Sequence, residues 1–138
     1  MDREEARAFL ADGARTGKLA TTRPDRRPHV APIWFVLDDA DVVFTTGADT
    51  VKARNLAREG RAAMLVDDES PPFSYVMVEG SVRISDDLAA MLPLATRIGG
   101  RYMGEEHAEA FGRRNAVEGE LLVRLSLDSI VAHANIAD

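Results

Sequence analysis

The 138-residue sequence contains no cysteine, only two lysines and one tryptophan, and no apolar run long enough to cross a bilayer. The missing cysteine excludes disulfide staples, thiol nucleophiles, thiolate zinc sites and cysteine-ligated iron–sulfur clusters together. Lysine is scarce in a one-sided way: of 17 basic residues, all but Lys18 and Lys52 are arginine. Positive charge is in deficit as well. With 23 acidic residues the formal net charge is −6, which argues against a broad basic face for nucleic acid or anionic lipid. The opening residues Met1-Asp2-Arg3-Glu4-Glu5 are charged where a secretory leader would be apolar, and no segment approaches the roughly 18 apolar residues of a spanning helix. A cytoplasmic protein without membrane attachment is expected.

What is present suits one compact domain over residues 1–138. Hydrophobic residues make up 46% of the chain and charged residues 29%, enough apolar surface for a core and enough charge for a solvated exterior. Residues 2–14 predict a helix, with Asp2 and Glu5 in capping-box spacing and Ala6, Phe9, Leu10 and Ala14 on one face. Residues 18–22, 28–37 and 42–46 read as strands joined by polar turns. Asp49 or Thr50 caps a short helix that Gly60 closes. Strand character returns at 62–66 and 73–84, where Gly80 marks a bulge or bend. Residues 85–102 and 105–115 read as helices, and 120–134 alternates like a half-buried strand that continues toward His133. Six strands with helices inserted between them predict a mainly β fold, an antiparallel barrel closed or nearly closed. So small a barrel fills its interior with side chains, so a sizeable ligand belongs in a groove outside it or between subunits.

Two segments carry chemical interest. In Thr45-Thr46-Gly47-Ala48-Asp49-Thr50-Val51-Lys52-Ala53-Arg54-Asn55, a strand end with hydroxyls leads through a glycine turn into a helix start with a lysine in its first turn. That combination suits a phosphate. Lys52 and Asn55 lie about 60° apart on a helix and can share an anion, whereas Arg54 and Arg58 point elsewhere. The same residues also fit a capped surface helix with solvated cations, which periodicity alone favours. In Pro28-His29-Val30-Ala31-Pro32-Ile33-Trp34-Phe35, Pro32 cannot donate to a ladder, so this strand is an edge or is bulged there, leaving backbone groups for a planar ligand or merely interrupting a core strand. His29, His107 and His133 share no ligand spacing, so no metal site is expected. No serine sits in a nucleophile elbow. The residues by themselves thus describe an anion site without a protein-borne catalytic group.

At these segments the chain resembles the split β-barrel flavin and deazaflavin oxidoreductases, the superfamily that includes pyridoxamine 5'-phosphate oxidase. The resemblance runs from about Leu10 to the end. It rests on the order of Gly17-Lys18-Leu19-Ala20-Thr21-Thr22, residues 28–35, Val43-Phe44-Thr45-Thr46, Val51-Lys52-Ala53-Arg54-Asn55-Leu56, Val78-Glu79-Gly80 and Arg101-Tyr102. Among its members the sequence is most similar to the short ones that use the deazaflavin coenzyme F420, with FMN-binding relatives the near alternative. The resemblance implies a six-stranded split barrel, a homodimer, and a cofactor in the groove between subunits. It implies that Lys52, Asn55, Thr45 and Thr46 hold the cofactor phosphate, that Arg54 and Arg58 assist, and that Val30, Ala31, Pro32, Ile33 and Trp34 line the tricyclic ring. Hydride transfer from reduced F420 to a small unsaturated acceptor is the implied activity. An FMN-dependent oxidase or reductase, or a non-enzymatic flavin or tetrapyrrole carrier, are the alternatives. Tyr75, Tyr102 and His133 are candidates for substrate contact.

Overall fold

The computed structural model describes residues 1–138. Its elements are α1 (Arg3–Ala11), β1 (Gly17–Thr22), β2 (Pro28–Ile33), β3 (Val36–Asp38), β4 (Asp41–Gly47), α2 (Val51–Glu59), β5 (Arg61–Asp68), β6 (Ser74–Ser85), α3 (Leu88–Met103), a 3-10 turn (Glu105–His107), α4 (Ala108–Asn115), β7 (Glu120–Ser126) and β8 (Ser129–His133). The strands are antiparallel and run β2-β1-β5-β6-β7-β4-β3, with β8 added to β6. This is a split barrel. It has eight strands, not the six expected, because two runs read as continuous are each divided. Residues 28–37 break at Trp34 and Phe35, where Phe35 turns fully into the core and the chain passes from pairing with β1 to pairing with β4. The last run breaks at Leu127 and Asp128, between a strand paired with β4 and β6 and one paired with β6 alone.

β6 holds the two halves of the sheet together. Along one edge its residues 75–79 pair with β8 and residues 82–85 with β7, while its other edge pairs with β5 over residues 74–81. The change of partner falls at Gly80, where a Cβ would lie 1.8 Å from the carbonyl oxygen of Ser126. Only glycine allows that approach.

Alternation along β4 and β7 assigns their two faces. Val42, Phe44, Val123 and Leu125 enter the barrel core with Leu10, Leu19, Phe35, Met64 and Val78. Val43 and Leu122 point the other way, into a second apolar cluster with Val36, Met91, Leu94 and Ile98 under α3. By the period of two, Thr45 and Glu120 share that outer face with Val43 and Leu122. α1 closes the barrel through Ala6 and Leu10, and its start carries the expected capping box between Asp2 and Glu5.

Candidate functional site

The outer face of β4 and β7, the end of β2, the first turn of α2 and the helices α3 and α4 enclose a cavity of about 260 Å³. Pro32, Ile33 and Trp34 form one wall, Thr45, Lys52 and Glu120 the polar side, and Ile98, Phe111 and Asn115 the helical side. β2 is the edge strand that Pro32 requires, bonded only to β1.

Trp34 is half-exposed and stacked. Its ring lies 5.0 Å from that of Tyr102 at an interplanar angle of 5°, and 5.7 Å from Phe111 at 28°. The stack exists because α3 and α4 approach closely: a Cβ on Gly99 would meet the Cβ of Phe111 at 2.6 Å. Tyr102 is anchored beneath it. Its hydroxyl donates to the Arg15 carbonyl at 2.9 Å and accepts from the Phe35 amide at 3.3 Å. Burial pushes the Tyr102 phenol above its ordinary value, so it stays protonated at neutral pH. Its neighbour Arg101 donates to the carbonyls of Leu10, Gly13 and Phe35 at 2.7, 2.9 and 2.7 Å, tying the end of α1 to the break between β2 and β3. Both residues therefore position the Trp34 wall.

The two lysines have different fates. Lys18 is engaged by Asp67 and the Thr16 carbonyl, each at 3.2 Å, whereas Lys52 makes no hydrogen bond or ion pair and faces the cavity. Thr50 caps α2 by accepting from the Ala53 amide at 3.2 Å, and its hydroxyl also donates to the Gly47 carbonyl and meets the Thr46 hydroxyl at 3.1 Å. Glu120 stands across the cavity. Burial raises its pKa, the Lys52 ammonium opposes that rise, and the Asp49 carboxylate adds to it.

Of the residues expected around a cofactor, Pro32, Ile33, Trp34, Thr45 and Lys52 meet in this cavity. Thr46 is buried and faces Thr50. Asn55 turns away from Lys52, is 2% exposed, donates to the Thr21 hydroxyl at 3.0 Å and accepts from Arg58 at 3.0 Å. Arg58 also donates to the Thr22 carbonyl, so the pair docks α2 on β1. Arg54 reaches back to the Asp49 carbonyl at 2.7 Å. Val30 and Ala31 lie outside the cavity, Val30 with 67% of its surface exposed. Tyr75 and His133, in register across β6 and β8, pack ring to ring at 5.3 Å, also outside it. A larger groove of about 660 Å³ passes Thr21, Gly60 and Gly80, and none of the expected cofactor residues lines it. Sequence reasoning missed Ile98, Phe111, Asn115 and Glu120. The alternation of 120–127 carried a signal for Glu120, since it puts that carboxylate on the outer face with Leu122.

Residues 2–123 match the family model of pyridoxamine 5'-phosphate oxidase. The chain belongs to the pyridoxamine 5'-phosphate oxidase family. Among solved structures of the same fold, the conserved hypothetical protein Rv2991 of Mycobacterium tuberculosis matches with a TM-score of 0.85 at 26% identity, over 98% of this chain and 86% of that one. An F420 reductase matches with a TM-score of 0.70 at 27% identity, over 89% and 94%. HutZ, the heme storage protein of Vibrio cholerae, matches with a TM-score of 0.70 over 95% and 89%, but at 17% identity the likeness is one of fold. Pyridoxamine 5'-phosphate oxidase family membership gives the cavity its context: a flavin-binding fold whose members include oxidoreductases.

Proposed function

We propose that this protein is an F420-dependent oxidoreductase that transfers a hydride from reduced deazaflavin to a small unsaturated organic acceptor. The observation that carries the proposal is the free Lys52 ammonium in one cavity with the Thr45 hydroxyl and the Pro32–Trp34 wall. The donor set fits an anionic tail beside a flat ring. Lys52 offers three donors and no competing ion pair, Thr45 offers a hydroxyl, and the proline and tryptophan offer apolar surface. The likeness to an F420 reductase supports the choice of cofactor.

In this proposal Lys52 and Thr45 hold the phosphate, and Pro32, Ile33 and Trp34 flank the ring system and exclude water from it. Asn55 and Arg58 act from behind by fixing α2 on β1, which sets the height of Lys52. Arg54 extends the positive surface at the mouth. The cofactor supplies the hydride, so the chain needs no strong acid or base of its own.

The cavity of about 260 Å³ is smaller than the roughly 300–1,000 Å³ that encloses a ligand of drug size. A second copy of the chain completes it in this proposal. Pro32, Lys18, Leu65, Met77 and Val131 stand in register across β2, β1, β5, β6 and β8. Leu65 and Val131 are 36% and 39% exposed on that row. This outer face, apolar except for Lys18 with its Asp67 partner, begins at Pro32, a wall of the cavity, so a partner covering it reaches the cofactor groove.

Titration of the purified protein with F420 and with FMN tests the proposal, followed by F420 turnover against a panel of unsaturated acceptors. F420 binding and acceptor-dependent consumption of reduced F420 are expected. Protein that copurifies yellow with FMN and shows no affinity for F420 overturns it.

A further inference from the structure

The cavity that presents Lys52 also presents a carboxylate, and the fold builds it in. The Ala48 amide donates to the Gly119 carbonyl at 2.8 Å, and the Glu120 amide to the Val117 carbonyl at 3.1 Å. These bonds bring the start of β7 over the turn before α2, where Glu120 pairs with Gly47. A Cβ at Gly47 would lie 3.2 Å from Asp49 Oδ1 and 3.8 Å from Glu120 Oε2, so both carboxylates flank the same glycine. The other cavity residues, Asn115 on α4, Ile98 on α3 and the β2 wall, carry no charge. One ammonium thus faces one carboxylate inside the cavity and a second at its rim.

We infer that Glu120 makes the Lys52 cavity selective for a singly charged phosphodiester over a doubly charged phosphomonoester. Any anion that pairs with Lys52 shares the cavity with Glu120, and the repulsion it meets is proportional to its own charge. Lys52 attraction scales the same way, and the Glu120 carboxylate offsets part of it, by twice as much for a dianion. A monoanion therefore loses less than a dianion. The two flavin-type cofactors differ in this respect: F420 carries its phosphate as a diester, FMN as a monoester. The inference rests on the proposed function and names the specificity of that same site.

The test compares the affinities of wild type, E120Q and E120D for FMN and F420 at about pH 8, where a phosphomonoester bears close to two charges. E120Q is expected to bind FMN about tenfold more tightly and F420 no more than about threefold more tightly, since the removed repulsion counts twice for a dianion. E120D, which keeps the charge, retains the wild-type ratio. Wild-type titrations at about pH 5.5 add a measurement that needs no variant: FMN affinity rises as its phosphate gains a proton, and F420 affinity rises less. Equal shifts for both cofactors in E120Q, or none, overturn the selectivity while leaving F420 binding by the wild type intact. A wild type that binds neither cofactor overturns the proposed function and this inference with it.

Discussion

Arg83 and Arg124 stand directly opposite each other across β6 and β7, and one carboxylate oxygen of Asp41 holds both, 2.6 Å from the first guanidinium and 3.1 Å from the second. Like charges in register repel, so Asp41 is what makes this pairing tolerable. Arg124 reaches on to Asp38 at 2.9 Å, and Asp38 to Arg97 on α3 at 3.1 Å. Asp41→Asn leaves two facing arginines beside a nearly buried amide and is expected to lower stability by about 1–3 kcal/mol. The exposed Arg83 contributes at the low end of that range. Urea unfolding at neutral pH measures it.

The same network sets the acid limit. The hydrogen bond from Arg124, followed by the nearby guanidinium charges, holds the Asp38 carboxyl below its ordinary value. A depressed carboxylate adds stability above its unfolded pKa and loses that contribution as pH falls through the folded one. Unfolding temperature is therefore expected to drop below about pH 4, and Asp38→Asn to flatten that part of the profile.

Lys52→Ala removes the free ammonium from the cavity. It should weaken F420 binding by roughly 1.5–3 kcal/mol, the scale of a charge-assisted hydrogen bond, and leave the unfolding midpoint near wild type. An unchanged dissociation constant returns Lys52 to the solvated surface.

Asn55→Ala should behave in the opposite way. Its amide is buried between Thr21 and Arg58, so its loss costs about 1–3 kcal/mol of stability. Cofactor affinity falls only as far as α2 shifts. Chemical denaturation and cofactor titration on the same preparation separate the two effects.

Tyr102→Phe keeps the stack under Trp34 but leaves the Phe35 amide without its acceptor, at a cost of about 1–3 kcal/mol. Because burial raises the phenol pKa, the wild-type advantage holds below the unfolded value near 10 and fades as pH rises through the folded one. The difference between wild type and variant should therefore shrink only in strong alkali, read as unfolding free energy against pH.

Local rules were sufficient for much of this protein. The Asp2 and Glu5 spacing wrote the capping box, Asp49 or Thr50 with Gly60 bounded α2, and Pro32 declared an edge or bulged strand, because capping and ladder chemistry depend on a few neighbouring residues. The order of segments likewise identified the superfamily. Alternation in 120–126 carried a signal for the face of Glu120, although it could not say that this face joins that of Thr45.

What the sequence by itself determined, then, is most of the elements, the caps at their ends and a lysine in the first turn of α2; the division of 28–37 and 120–134 into separate strands came from the sheet. Only the tertiary structure decided that Asn55 serves Thr21 while Lys52 serves the cavity, since two side chains 60° apart on α2 fall on either side of the line where the helix meets β1. It also decided that Phe111 stacks on Trp34 and that Glu120 confronts Lys52. Those relations join residues distant in the chain, and they are fixed by strand register and by how closely α3 and α4 pack.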